Sequence, residues 1–255
     1  MYRDHTIAVV MPVHNEERQI ENAIKRVPDF VDAIVAVNDG STDGTSIVLS
    51  RISDQRLVVL TLDRNRGVGA ATKTGYVNSL NAGVDLIAVM DGDGQMDGSD
   101  LPALIDCALT GVDYVRGNRF LKSETIDCMP RVRYFGNRFF SWMARKAVLF
   151  DQDIDAHCGY TVIRHRALAQ LSLEKLYDRY GFPTEMFFAA CREGLVIKNV
   201  PVRTVYGDEI SGINPLTAVP AILFLIIRSY LRRLIATPQT GLQSGPEEIE
   251  YKLEA

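Results

Sequence analysis

The chain reads Val-Asp-Leu-Ile-Ala-Val-Met-Asp-Gly-Asp-Gly-Gln at residues 84–95, an apolar run that ends directly on two aspartates one residue apart. The run predicts a strand from Val84 to Met90, followed by a polar turn. Near-continuous apolarity of this kind is typical of a strand that is buried on both faces of a parallel sheet. Similar runs at residues 7–13, 33–37 and 57–62 predict three earlier strands, so this stretch forms the fourth.

Helical spacing of apolar residues fills the gaps between these strands. The predicted helices cover residues 16–27, about 41–53, 67–80 and 101–109, and a short fifth strand covers residues 113–116. Alternation of strands and helices indicates an α/β fold, so we predict a doubly wound, mostly parallel sheet flanked by helices. In such sheets, ligands bind beyond the carboxyl ends of the strands.

The second half of the chain is less regular. Residues 131–149 have the pattern of a basic amphipathic helix, and residues 215–236 predict an amphipathic helix or a pair of helices kinked at Pro220. The shorter predicted elements are strands at 159–163 and 196–205 and helices at 167–171 and 183–192. From residue 237 the sequence turns polar and acidic, which predicts a disordered tail over residues 237–255.

The composition excludes some classes of protein. The 255 residues carry a net charge of −4, without the basic excess of a nucleic-acid-binding protein. The four cysteines are scattered and lack metal-ligand spacing, so we expect reduced thiols in a cytoplasmic protein. The amino terminus lacks a signal-peptide pattern, and no apolar run reaches the roughly 18 residues of a membrane span.

Polar residues follow each of the first four strands. The clusters are Pro12–Glu16, Asn38–Ser41, Asp63–Gly67 and Asp91–Asp93. They leave the same edge of the predicted sheet and should converge on one crevice. A pair of carboxylates in a glycine-rich turn suits a hard divalent cation that also holds a diphosphate. An isolated Asp/Gly turn is more often only a surface turn; the position of Asp91 and Asp93 at a strand end favours the ligand site.

Two of these clusters allow a second interpretation. The carboxylate of Asp39 would accept hydrogen bonds from a nucleobase or ribose, while Ser41 or Asp43 would cap the next helix. The glycines after residue 65 resemble a dinucleotide-binding loop only superficially. They follow the third strand rather than the first, and Thr72 stands at the third glycine position, so the sequence disfavours NAD binding.

The ordered set of motifs resembles a known family. It comprises Pro12-x-His14-Asn15-Glu16-Glu17, Asn38-Asp39-Gly40-Ser41-Thr42-Asp43, Asn65-Arg66-Gly67-x-Gly69-Ala70-Ala71 and Asp91-Gly92-Asp93-Gly94-Gln95. Three later segments, Asp155–Thr161, Tyr180–Met186 and Val205–Gly212, extend the match. Together they resemble inverting family 2 glycosyltransferases of the GT-A fold. The closer resemblance is to polyprenyl-phosphate glycosyltransferases of the dolichol-phosphate mannose synthase type, over about residues 6–214.

The resemblance implies a domain organisation. Residues 1–214 would form the glycosyltransferase domain, with a nucleotide-sugar half over about 1–116 and an acceptor half over about 117–214. Residues 215–236 would add an amphipathic helix.

It also implies roles for individual residues. Those that would line the nucleoside pocket are Pro12, His14, Glu16 and Asp39. Asp91 would lie near the ribose or diphosphate, and the residues implied at an Mg²⁺ or Mn²⁺ ion are Asp91, Asp93 and Gln95. Gln95 would also lie beside the sugar, and Arg119 and Arg133 would face phosphates of the donor or of a lipid acceptor.

The sequence departs from the family pattern at several positions. His14 stands where tyrosine is common, Asn38 replaces a frequent aspartate, and Gly92 replaces alanine. Arg203 lies near the place of a late phosphate-binding arginine, about one position out of register. The departures leave the catalytic class intact and leave the base and sugar specificity open.

The resemblance implies transfer of a hexose, with inversion, from a GDP-mannose- or UDP-glucose-type donor to a polyprenyl or dolichyl phosphate. A hydroxyl acceptor would need a general base, whereas a lipid phosphate is already an anion. Glu185 lies where many hydroxyl-glycosylating relatives place their base; alternatively, it is a carboxylate that stabilises a helix start.

Two segments predict peripheral contact with the cytoplasmic face of a membrane. Arginines and lysines between Arg116 and Lys146 alternate with aromatic residues, which suits an anionic head group that carries an apolar chain. In residues 215–236 an apolar run is followed by arginines, which suits a membrane interface. Packing on the domain or a contact in a homo-oligomer would explain the same helix equally well.

Three alternative functions remain open at this point. A soluble family 2 glycosyltransferase could modify a glycan or a small-molecule hydroxyl with the same donor site. A nucleotide-sugar-binding protein without activity is disfavoured by the intact Asp91, Asp93 and Gln95. A nucleotidyltransferase would carry a glycine- and lysine-rich loop after the first strand, and residues 14–17 are not that.

Overall fold

A seven-stranded sheet forms the centre of the computed structural model, which describes residues 1–204 and 215–235. The strands are β1 Ile7–Val13, β2 Ala33–Asn38, β3 Leu57–Thr61, β4 Leu86–Val89, β5 Tyr114–Asn118, β6 Thr161–Arg164 and β7 Ile197–Pro201. Their order across the sheet is β3-β2-β1-β4-β6-β5-β7. Strand β6 is antiparallel to β4 and β5, and the other pairings are parallel. The doubly wound, mostly parallel sheet is confirmed.

Helices cover both faces of the sheet. They are α1 Ile20–Lys25, α2 Thr45–Arg51, α3 Val68–Asn81, α4 Leu101–Leu109, α5 Ser123–Cys128, α6 Arg131–Ala147, α7 His165–Leu168, α8 Phe182–Arg192 and α9 Pro215–Ile235. Helices α1, α2 and α4 contribute to one hydrophobic core, and α3, α6, α7, α8 and α9 contribute to the other.

Strand β1 shows why the sheet is buried on both faces. Ile7, Val9 and Met11 lie in the core beneath α1 and α4, whereas Val10 lies in the opposite core with α3 and α8. Successive side chains of a strand point to opposite faces, and every residue of β1 is buried. The carboxyl end of β1 is thereby held at the middle of the sheet edge where the polar clusters emerge.

The terminal helix α9 is a single helix that contains Pro220, so the alternative of two kinked helices is wrong. Ile222, Leu225 and Ile226 are buried in the core beside α8, which anchors the helix despite the backbone hydrogen bond that a proline removes. Across the described ranges, none of the helices has the length and apolarity needed to cross a bilayer.

Several element bounds differ from the prediction. Helix α1 begins at Ile20 rather than at residue 16, and residues 17–19 form a turn in which the backbone N–H groups of Gln19 and Ile20 both donate to the carbonyl oxygen of Glu16. Helix α5 was not predicted. The predicted acidic tail and the motif Val205–Gly212 lie outside the described residues.

Candidate active site

The loop after β1 is fastened to the loop after β2. His14 Nδ1 lies 2.8 Å from the carbonyl oxygen of Asp39, and the Asn15 side chain accepts a hydrogen bond from the backbone N–H of Thr42. Asn15 has a φ of 58°, a left-handed conformation that asparagine tolerates better than most residues. These contacts hold Glu16 at the mouth of the strand-end crevice.

The carboxylate of Asp39 fixes the loop after β3. It is buried, and it accepts hydrogen bonds at 2.7 Å from the backbone N–H groups of Arg66 and Gly67. Gly40 has a φ of 58°, and a Cβ atom there would lie 2.4 Å from the backbone of Arg64. The loops after β2 and β3 are thus in contact. Position 40 requires glycine, because a larger residue would meet the backbone of Arg64.

The glycines at the start of α3 allow a second chain segment to approach. A Cβ on Gly69 would lie 2.4 Å from the carbonyl oxygen of Tyr177, and the N–H of Ala70 donates to the carbonyl oxygen of Asp178 at 2.9 Å. Lys73 also forms an ion pair with Asp178. The glycine-rich stretch therefore packs against protein backbone at these positions.

Asp91 and Asp93 follow β4 at the centre of the crevice. Burial, and then the neighbouring Asp93, raise the pKa of Asp91 to about 7, with Arg119 acting in the opposite direction. Asp93 Oδ1 accepts the backbone N–H of Gln95 at 2.9 Å, which orders the turn. A Cβ on Gly159 would lie 3.4 Å from the Asp91 carboxylate, so the segment just before β6 closes one side of the acidic pair.

Arg119 is held by a buried carboxylate. Its Nε and Nη2 atoms donate to the two oxygens of Asp155 at 2.5 and 3.0 Å. Burial opposes ionisation of Asp155, but the charge and hydrogen bonds of Arg119 outweigh it and lower the pKa of Asp155. The bidentate pair fixes the plane of the guanidinium group at the cavity wall.

Three cavities meet at the acidic pair. The large cavity, of about 590 Å³, contains His14, Glu16, Gln95, Arg119, Arg133, His157, Tyr180 and Arg203 in its wall. The strand-end cavity, of about 250 Å³, is lined by Pro12, His14, Glu16, Asp39, Asn65 and Gly67 among others. The apolar cavity, of about 240 Å³, is lined by Val68, Tyr76, Val89, Phe182 and Met186 among others. Asp91 and Asp93 line all three.

Most of the residues singled out in the sequence therefore come together. Pro12, His14, Glu16, Asp39, Asp91, Asp93, Gln95, Arg119 and Arg133 all line the large or the strand-end cavity. Glu185 does not. It is buried beneath α9, where its Oε2 lies 2.6 Å from Arg228 Nη2, and it lines none of the three cavities described. This position does not support the hypothesis that Glu185 is a general base, because the first turn of α8 and helix α9 enclose the carboxylate.

The sequence assigned no individual role to Asp155, His157 or Tyr180, and it left Arg203 about one position out of register with a phosphate-binding arginine. Asp155 and His157 belong to a quoted motif, and Tyr180 to another, but neither motif distinguished wall residues from core residues. Arg203 lines the cavity while it forms ion pairs with Asp97 and Asp100. The missing signal was three-dimensional, since these residues come from three separate segments.

The donor set fits a hard divalent cation. Within the described residues no group of three histidine, cysteine or acidic side chains is arranged to enclose a metal ion. Mg²⁺ is commonly held by one or two carboxylates together with substrate phosphates and water. Burial and the neighbouring Asp93 both raise the pKa of Asp91, so the ionised form of this carboxyl is disfavoured. A bound cation would favour the ionised form.

Comparison with known proteins identifies the class. Residues 8–172 match the family described as glycosyl transferase family 2. The chain belongs to this family and is a glycosyltransferase.

Relatives with similar lengths agree with this assignment. A UDP-N-acetylglucosamine–dolichyl-phosphate N-acetylglucosaminyltransferase of Methanococcus voltae is 26% identical, with 80% of this chain and 88% of the relative covered. A polyprenol monophosphomannose synthase of Mycolicibacterium smegmatis is 26% identical over 81% of each chain. An uncharacterized glycosyltransferase of Mycobacterium bovis is 31% identical, with 81% of this chain and 87% of the relative covered.

The fold also matches solved structures. Glucosyl-3-phosphoglycerate synthase from Mycobacterium tuberculosis, in complex with Mn²⁺, uridine diphosphate and glucosyl-3-phosphoglycerate, superposes with a TM-score of 0.66 at 19% identity. The match covers 92% of this chain and 82% of that chain. The fold is the GT-A fold of these enzymes.

Proposed function

We propose that the protein transfers a hexose from a nucleotide sugar, of the GDP-mannose or UDP-glucose type, to a polyprenyl or dolichyl phosphate. The observation that carries the proposal is the position of Asp91 and Asp93 at the junction of the three cavities. One cavity has the strand-end loops in its wall, and the large one has Arg119 and Arg133.

The donor would lie across this junction. Its nucleoside would occupy the strand-end cavity, where Pro12, His14 and Asp39 form the wall. Its diphosphate would then reach Asp91 and Asp93, which with Gln95 would hold Mg²⁺ or Mn²⁺. Bound there, the cation supplies positive charge to the departing diphosphate. The sugar would extend beyond the aspartates, away from the nucleoside.

The residues around the sugar would stabilise charge in the reaction. As the bond between C1 and the diphosphate oxygen breaks, the fixed guanidinium of Arg119 faces the developing negative charge. A phosphate oxygen of the acceptor forms the new bond to C1 from the opposite side, which inverts the anomeric centre. The phosphate brings its own negative charge, so this step requires no general base.

The acceptor assignment rests on the basic wall and on the absence of Glu185 from it. Arg133 lines the large cavity, and in the described part of the chain it forms no ion pair, so its guanidinium group is available for a phosphate. Two relatives with similar lengths are named for dolichyl phosphate and polyprenol phosphate transfer. A glycan acceptor would instead need a base, and Glu185 is enclosed elsewhere.

A membrane-facing surface next to the cavity would deliver the lipid. Helices α6 and α9 pack against each other, and Arg233 donates to the carbonyl oxygen of Lys146. The surface comprises exposed apolar residues of both helices, namely Val132, Phe135, Phe139, Trp142, Phe224, Ile227, Leu231 and Leu234. Arginines flank them, so the surface suits the interface of an anionic bilayer.

The function can be tested by supplying pairs of substrates. Purified protein with Mn²⁺ is incubated with GDP-mannose, UDP-glucose or UDP-N-acetylglucosamine, and with or without undecaprenyl or dolichyl phosphate. Formation of a glycosylated lipid phosphate with one donor is the expected result. Transfer to a free sugar or glycan hydroxyl, with none to any lipid phosphate, would replace the acceptor proposed here.

A further inference from the structure

Among the described residues that line both the large and the apolar cavity, His157 is the one histidine. The other residues of that shared wall are Asp91, Asp93, Gly159 and Tyr180. Under the proposed donor arrangement, the transferred sugar lies on this side of the two aspartates. The inference that follows therefore rests on the proposed function and concerns how the sugar is recognised.

Both the backbone and the ring of His157 are held. The backbone N–H donates to Asp155 at 3.3 Å, and the ring meets Phe140 of α6 edge-on, with centroids 6.1 Å apart. The ring also contacts α8, where Nδ1 lies 3.3 Å from Thr184 Oγ1. The ring thus has little freedom to turn toward another partner.

The contacts of Thr184 define which ring nitrogen carries the proton. Thr184 Oγ1 donates its only proton to the carbonyl oxygen of Ala156, at 3.0 Å, which is the shorter of its two contacts. The hydroxyl can then only accept from His157, so Nδ1 carries the hydrogen. In the neutral ring, Nε2 is therefore a hydrogen-bond acceptor.

Among the described residues, this acceptor has no partner. Nε2 is shielded from solvent, and within residues 1–204 and 215–235 no hydrogen bond reaches it. Burial lowers the pKa of His157 to about 4, which keeps the ring neutral at physiological pH. A buried acceptor without a partner costs free energy. The position of Nε2 at a cavity wall therefore indicates a ligand group that donates a hydrogen bond to it.

We propose that Nε2 of His157 accepts a hydrogen bond from a hydroxyl group of the transferred sugar, which makes His157 a determinant of donor-sugar specificity. A polyprenyl phosphate in its dianionic form brings no hydroxyl donor, and in the proposed arrangement the nucleoside occupies the strand-end cavity, whose wall lacks His157. A site that is built around one hydroxyl rejects an analogue without it, because the buried acceptor is then left unpaired.

Binding of the donor without acceptor tests the proposal. His157→Phe retains the ring and its contact with Phe140 but removes the acceptor nitrogen. Titration calorimetry with Mn²⁺ compares UDP-glucose with UDP and GDP-mannose with GDP. We expect the variant to bind the matching nucleotide sugar about tenfold or more weakly and the nucleoside diphosphate as the wild type does. His157→Gln, which retains an acceptor, should recover part of the loss.

Deoxygenated donors identify the hydroxyl. Removal of the paired hydroxyl from the sugar should weaken binding to the wild type but cause no additional loss in His157→Phe. His165→Phe is the matched control, because His165 binds the carbonyl oxygen of Val84 outside the cavities, and it should bind both probes normally. Thermal melts establish that each variant is folded.

The outcomes separate this inference from the proposed function. Equal weakening of nucleotide-sugar and nucleoside-diphosphate binding, or additive losses with every deoxy donor, would overturn the role of His157. A wild type that binds a nucleotide sugar without glycosylating a lipid phosphate would overturn the acceptor assignment alone. A wild type that binds neither nucleotide sugar would overturn both.

Discussion

Arg228 Nη2 of the terminal helix lies 2.6 Å from Glu185 Oε2, and the Glu185 side chain is only 1% exposed. The pair joins α9 to α8, the helix that also supplies Phe182 and Met186 to the apolar cavity. Glu185, the candidate general base, therefore forms a contact between two helices. The consequences of this pair and of the acidic site can be measured.

Loss of Arg228 should destabilise the fold. Arg228→Met leaves the Glu185 carboxylate buried without its cation, a change that typically costs about 3–5 kcal/mol. Urea unfolding measures the loss. The double variant Glu185→Met with Arg228→Met should recover most of it, because apolar replacement of both partners removes the uncompensated charge. Lys25→Met, which removes an exposed pair with Glu21, serves as control and should cost about 1 kcal/mol or less.

The double variant also tests the catalytic role of Glu185. Since the carboxylate lies outside the cavities, turnover should remain within a few-fold of the wild type. If the double variant folds but has lost most of its turnover, Glu185 takes part in the reaction.

Removal of the Asp93 carboxylate should abolish metal-dependent turnover. Asp93→Ala is expected to lower kcat by about 100-fold or more, since the cation that would stabilise the leaving diphosphate would lose a ligand. Activity is measured against Mn²⁺ and Mg²⁺ concentration. Asp127→Asn changes an exposed carboxylate and should leave the metal response unchanged. Persistence of the Mn²⁺ dependence in Asp93→Ala would place the metal elsewhere.

The Arg119–Asp155 pair should give the fold a specific response to acid. The lowered pKa of Asp155 in the folded state means that its stabilisation is complete above the ordinary carboxyl pKa of about 3.9. It is lost as the pH falls through the lower folded-state value. Asp155→Asn should therefore be much less stable than the wild type at pH 7, and the difference should shrink below about pH 4.

The control for this pair lies nearby. Asp153 forms its ion pairs with Arg138 and Arg145 at the surface, so Asp153→Asn should cost about 1 kcal/mol or less. A constant stability gap between wild type and Asp155→Asn from pH 7 to pH 3 would contradict the assigned ionisation.

Arg133 should act on the acceptor rather than on the donor. Arg133→Ala is expected to raise the KM for polyprenyl phosphate about tenfold, because a charge-assisted contact to phosphate is lost. The KM for the nucleotide sugar should stay unchanged. Arg131→Ala, which alters an exposed arginine of the same helix, is the control. An equal rise in both KM values would assign Arg133 to the donor phosphates.

The exposed apolar residues of α6 should mediate vesicle binding. Phe139 and Trp142 stack at the surface, with ring centroids 6.1 Å apart, and their double replacement by serine should reduce flotation with phosphatidylglycerol vesicles several-fold. Ile47→Ser, at an exposed apolar residue of α2 on the other face of the sheet, should have no effect. Unchanged flotation of the double variant would favour a protein partner for this surface.

The sequence was sufficient for the sheet and for the convergence of the strand-end residues, for a local reason. Asp39 and Asp91 follow strands whose burial is evident from their apolar runs, so parallel topology alone brings these two residues to one edge. The antiparallel insertion of β6 between β4 and β5 is not legible in this way. It depends on which edge pairs with residues 161–164, and that is decided by long-range packing.

The rest of the site was harder to predict because its residues act in pairs that are distant in sequence. Glu185 has the residue type of a base. Its environment is nevertheless set by Arg228, which lies 43 residues later in the chain (228 − 185). Asp155 and His157 likewise acquire their properties from Arg119 and Thr184. A carboxylate or imidazole cannot be assigned a role until its burial and partner are known.

The contact between α9 and the segment at Gly181 has a consequence for the order in which the protein matures. A Cβ on Gly181 would lie 3.0 Å from Leu225, and the neighbouring Tyr180 lines two cavities. Chains are synthesised from the amino terminus, and early segments begin to fold first. Every cavity-lining residue named above thus leaves the ribosome before Leu225 and Arg228 do. The contact of α9 with the segment at Gly181, beside Tyr180 of the cavity wall, can therefore form only after all of these cavity residues have been synthesised.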